Sequence, residues 1–95
     1  MRNTIAALAV LRKYLRVSRK KKQLEKLANI AADNSWTLDE AVWLLLAHGY
    51  TLTGGKGSHQ VFTAPDKDAP IVLAAHGKKL KSGYIRMIRQ EILNQ

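Results

Sequence analysis

The residues most able to do chemistry in this chain are crowded into Gly54-Gly55-Lys56-Gly57-Ser58-His59-Gln60-Val61. Three glycines, one ammonium, one hydroxyl and one imidazole fall within a few positions. Glycine lets a backbone adopt positive φ and removes the side chains that would hold a phosphate at a distance. A lysine there adds charge, and a histidine adds a group that exchanges a proton near neutral pH. Such a set suits phosphate chemistry, with His59 as the proton-transfer group and Lys56, Gly57 and Ser58 as phosphate contacts. Taken alone, an isolated histidine there reads more readily as a strand residue hydrogen-bonded at a turn, and Lys56 as a solvated loop lysine. The run Val61-Phe62-Thr63 follows at once, so the stretch reads as a glycine-rich loop over 54–58 feeding a strand. Glycine-rich loops before strands are often only hairpin turns, so the surrounding elements must add to the signal.

Those elements can be read in order. Apolar residues at 5, 8, 11 and 15 have helical spacing. The cluster Arg16, Arg19, Lys20, Lys21 and Lys22 comes next, readable as a solvated helix start or as a surface for phosphates or an acidic partner. Leu24, Leu27, Ala28 and Ala31 form an i, i+3, i+4, i+7 stripe, which predicts a helix over about 18–32 with Ser18 as N-cap and Asp33-Asn34-Ser35 as the break. Thr37-Leu38-Asp39-Glu40 has capping-box spacing, with Trp36 placed to staple onto the first turn. The helix it opens should end at Gly49 in the left-handed conformation. His48, in its last turn, has a sufficient structural role there.

Tyr50–Thr53, His59–Ala64 and Ile71–Ala75 read as three strands with short connections, which favours an antiparallel meander. Phe62 has the larger burial gain on its strand, about 2 kcal/mol. It should face the helices and leave His59 on the opposite, open face. A basic loop, His76-Gly77-Lys78-Lys79-Leu80-Lys81, leads to a last helix capped by Ser82. Tyr84, Ile85, Ile88 and Ile92 turn inward in that helix, and Arg86 and Arg89 outward. The result is an α+β fold, α-β-β-β-α with a three-stranded antiparallel sheet, preceded by one or two extra N-terminal helices. Residues 1–35 form a basic helical extension, and 36–95 form the domain that carries the chemistry.

Composition narrows the partners. The 95 residues carry 16 Lys and Arg against 7 Asp and Glu, a net charge of +9. Residues 1–35 hold nine basic and two acidic side chains, net +7, and residues 36–95 hold seven and five, net +2. Such a surface points to a polyanion or an acidic protein. With no cysteine, disulfides and thiolate zinc sites are excluded. His48, His59 and His76 have no standard metal-ligand spacing. No apolar run reaches the ~20 residues that span a bilayer. The expectation is a cytoplasmic protein that needs no cofactor or metal and no membrane.

At this point the residues resemble a known family. Residues 36–95 are similar to HicA proteins, the toxin half of HicA–HicB toxin–antitoxin pairs. The matching pieces are Ala47-His48-Gly49-Tyr50, Lys56-Gly57-Ser58-His59, Val61-Phe62 and His76-Gly77. Leu80-Lys81-Ser82-Gly83 and the last helix from Ile85 to Gln90 complete them. Many members carry a second histidine where this chain has Gln60. The resemblance implies a double-stranded-RNA-binding-domain-like fold, ribosome-independent mRNA cleavage, His59 as the catalytic histidine, and a HicB-type antitoxin as partner. Metal-free RNA cleavage needs a base for the 2′-OH proton and an acid for the leaving 5′-oxygen. His59 suits the base, while Lys79, Lys81, His76 or water remain open as the acid. Lys79, Lys81 and Arg86 are candidate RNA or phosphate contacts, with Tyr84 as a further one. The same basic surface would also serve a non-catalytic RNA-binding module, or an adaptor that meets an acidic partner.

Overall fold

The computed structural model describes residues 19–94. The helical reading of residues 3–15, the cation Arg16 and the Ser18 cap lie outside the described residues. The chain runs through a helix α1 at 19–28, a 3₁₀ helix Ile30–Ser35 and α2 at Leu38–Ala47. Strands β1 (Thr51–Lys56), β2 (His59–Thr63) and β3 (Ile71–Ala74) follow, and then α3 at Ser82–Leu93. The strands form one antiparallel sheet in the order β1-β2-β3. This is the expected α-β-β-β-α arrangement of a double-stranded-RNA-binding-domain-like fold.

The best-marked element in the sequence is also the best-tied in space. The Thr37 hydroxyl accepts from the Glu40 N–H at 3.2 Å, and the Glu40 carboxylate accepts from the Thr37 N–H at 3.1 Å. Each bond satisfies a backbone or side-chain group that would otherwise be orphaned at a helix start. At the other end Gly49 has φ +87. The Tyr50 N–H reaches back to the Leu45 carbonyl at 3.0 Å and the Gly49 N–H to Leu46 at 3.3 Å, which is the Schellman closure. The His48 Nδ1 lies 2.9 Å from the Leu44 carbonyl and donates to it. That bond gives this histidine a structural role.

One face of the sheet packs on the helices. Phe62, Ile71 and Leu73 meet Leu44 and Leu45 of α2 and Ile85 and Ile88 of α3, all of them buried. Trp36 and Leu27 join the same core at 0% exposure. Register follows from this burial. Phe62 pairs with Ile71, and slipping β2 by one residue would turn its ring to solvent.

Three expectations about the helices fail, each for a physical reason. The helix predicted to run to residue 32 ends at 28. Asn29 accepts from the Ala31 N–H at 3.2 Å and opens a 3₁₀ turn instead, so Ala28 and Ala31 are exposed rather than part of a buried stripe. Ser82 is the first residue of α3 and not its cap; the N-cap is Lys81, and no side chain caps this end. Arg89 does not project outward. It is 5% exposed, its guanidinium pairs with the buried Asp33, and its Nε donates to the Leu27 carbonyl at 2.8 Å. The 3₁₀ turn carries Asp33 inward, and a buried carboxylate needs a cation.

Candidate active site

The glycine stretch is not a loop. β1 continues through Gly54 and Gly55 to Lys56, with Gly54 opposite Val61 and Gly55 opposite Gln60. A β-bulge between Leu52 and Gly54 absorbs one residue. The connection to β2 is only Gly57-Ser58, a two-residue turn with Gly57 at φ +65. A glycine at positive φ in the first turn position matches the twist of antiparallel strands. Gly55 has a different task. Its φ is +133, and a Cβ there would run into the carbonyl oxygen of His59. The glycine therefore lets the β1 backbone pass against the residue whose imidazole is the candidate base. At Gly54 a Cβ would meet nothing within 4 Å. Because Gly54 and Gly55 are paired into the sheet, only Gly57 and Ser58 of this stretch form a turn.

His59 opens β2 and is exposed. It lies opposite Lys56 on one side and Ala74 on the other. Directly opposed residues share a face of a sheet, so imidazole and ammonium project together from the face away from Phe62. All six residues of β1 are exposed, and the hairpin is open to solvent. Gln60 pairs with the buried Leu73. The position that often holds a second histidine thus belongs to the opposite face from His59.

Most of the predicted site residues fall into two groups. Lys56, Gly57, Ser58 and His59 are contiguous at the hairpin end. Lys79, Lys81 and Ser82 line a surface groove of about 460 Å³ with His76 and Asn34, where β3 gives way to α3. That connection is held against the start of α2: the Leu38 N–H donates to Lys78 at 2.9 Å and the Leu80 N–H to Trp36 at 3.1 Å. Arg86 is exposed on α3 beside Gly83, and Tyr84 is half-buried against the core. Among the described residues no three His, Asp or Glu side chains are grouped to hold a metal ion, and no helix is long and apolar enough to cross a membrane. The sequence reading missed the buried Arg89–Asp33 pair. Its only signal was an arginine beside Ile88 on the inward arc of α3.

An open sheet face with an exposed imidazole and ammonium at a tight turn, backed by two helices, is the layout of this small basic α+β domain. Residues 39–95 match the family described as the HicA toxin of bacterial toxin–antitoxin systems. The chain belongs to that family, and as such is a toxin with a cognate antitoxin. No curated protein and no solved structure matches it significantly. The matched segment begins inside α2, so α1 and the 3₁₀ turn lie outside it.

Proposed function

We propose that this toxin is a metal-independent endoribonuclease that cuts mRNA in the cytoplasm and is held inactive by a HicB-type antitoxin. The observation that carries the reading is the exposed His59, opposite Lys56 at the mouth of a two-residue glycine turn. His59 removes the ribose 2′-OH proton, and the oxygen attacks the adjacent phosphorus. The P–O5′ bond breaks, leaving a 2′,3′-cyclic phosphate and a 5′-hydroxyl. Lys56 and the N–H groups of Gly57 and Ser58 steady the negative charge that builds on the phosphorane. Lys79, Lys81 and Arg86 hold flanking phosphates. In this reading residues 36–95 bind and cut RNA, and residues 1–35 are a basic extension that adds attraction for the polyanion.

The deciding experiment uses the purified toxin freed from its antitoxin, with chelator present. Wild type cuts a single-stranded RNA and spares the DNA of the same sequence, which lacks the attacking hydroxyl. His59→Ala lowers the rate by about 10²–10⁴-fold, the usual worth of a positioned acid–base group. Undiminished cleavage by His59→Ala removes the catalytic role. Tight, salt-sensitive RNA binding without cleavage by wild type would make the chain a binding module instead.

A further inference from the structure

Two turns in this molecule are built alike. In Lys56-Gly57-Ser58-His59, Lys56 and His59 face each other across a two-residue turn with Gly57 at φ +65. In His76-Gly77-Lys78-Lys79, His76 and Lys79 are bridged across a two-residue turn with Gly77 at φ +70. Each turn sets one imidazole opposite one ammonium, in reversed order. Both lie at the same end of the sheet. Ala74 is the β3 partner of His59, and His76 is two residues further along. Burial alternates without a break from Ile71, with residues 71, 73 and 75 buried and 72, 74 and 76 more open. β3 itself ends at Ala74, and the burial alternation carries the phase of Ala74 and His59 on to His76, where the second turn begins. At strand geometry, a spacing of ~4.8 Å and a two-residue rise of ~6.6 Å correspond to about 8 Å between the two histidine backbones. That is room for one phosphodiester between two imidazoles.

We propose that His76 is the general acid of this site. The inference rests on the endoribonuclease reading and completes its proton balance. As the 2′-oxygen bonds to phosphorus and the P–O5′ bond breaks, the His76 imidazolium gives its proton to the departing 5′-oxygen, while His59 holds the proton taken from the 2′-OH. Water later returns both imidazoles to their starting states. Lys79 and Lys81, in the groove beside His76, hold the phosphate downstream of the cut. An imidazole suits the acid role better than either ammonium, because it exchanges its proton near neutral pH.

The test uses a short RNA with one scissile linkage and the same RNA with sulfur in place of the 5′-bridging oxygen, since a thiolate leaves without a proton. His76 is exposed, so His76→Ala and His76→Gln should fold, which far-UV circular dichroism checks. Both variants should cut the oxygen substrate about 10²–10⁴-fold more slowly and cut the sulfur substrate at close to the wild-type rate. His59→Ala should be slow on both. The assignment is overturned if the His76 variants keep the wild-type rate on oxygen, if they lose both substrates equally, or if sulfur rescues His59→Ala instead. A wild-type protein inert to both substrates would bring down the endoribonuclease reading itself, a failure distinct from those.

Discussion

Arg89 and His59 make an instructive pair. Both are basic residues that the sequence places on regular elements, and both could face solvent. Arg89 is sealed between α3, the end of α1 and the 3₁₀ turn, with Asp33 and the Leu27 carbonyl as partners. His59 stands in the open with Lys56 opposite and no acidic residue in its ladder pairs. A buried cation that loses its counter-charge cannot be rehydrated, so its energy goes into holding the fold. An exposed imidazole beside an ammonium contributes little to stability and stays accessible from solvent. The helical layer uses charge to close the molecule, and the open sheet face keeps charge available.

The largest effect that would break this contrast is at Asp33. Asp33→Ala should destabilise the domain by about 3–5 kcal/mol, since it strands a buried guanidinium. Urea unfolding measures this, and His59→Ala should leave the same midpoint unmoved. A wild-type midpoint for Asp33→Ala would show the pair to be incidental.

Gly55→Ala tests whether the open face depends on backbone that only glycine can supply. Strain at φ +133 should cost about 1–3 kcal/mol, and RNA cleavage should fall with it as the His59 backbone is displaced. Gly54→Ala, one residue away with free space around its Cβ, should change neither. Equal behaviour of the two alanines would contradict the close approach of Gly55 to His59.

The smallest effect sharpens the comparison at a half-buried charge. Partial burial by itself would raise the Glu40 carboxyl, but hydrogen bonds from Lys26 and the Thr37 backbone, with the Lys26 charge, hold it below its ordinary 4.5. A carboxylate lowered on folding adds stability that is present above its unfolded value and lost as pH falls through the folded one. Glu40→Gln should therefore remove part of the stability loss seen below about pH 4.5. Thr37→Ala should cost about 1 kcal/mol through the lost cap. Thermal melts at pH 7 and pH 3 check both.

How much could be read in advance varied with the range of the interaction. The capping box at Thr37 and Glu40, the left-handed Gly49 and the strand phase of Phe62 were legible because each is set by neighbours within a few residues. The exposure of His59 followed from that phase, and the bulge at Leu52–Gly54 lies in β1, upstream of β2, so it did not reverse it. The glycine stretch was misread as a loop because glycine lowers strand propensity, while pairing with Val61 and Gln60 overrode it. The mirrored turn at His76 could have been noticed as Lys-Gly-x-His against His-Gly-x-Lys. Only the sheet register brings the two to one end.

By itself the sequence determined the order of helices and strands, the basic balance and the face of β2 on which the imidazole stands. These rest on periodicity, caps and turn residues, which act over three or four positions. The tertiary structure alone decided that Arg89 goes inside, that Gly55 must admit the His59 carbonyl, and that His76 returns to the same sheet end as His59. Each of these joins residues far apart in the chain or turns on close backbone contact between strands, and such contacts exist only once the strands have paired and the core has closed.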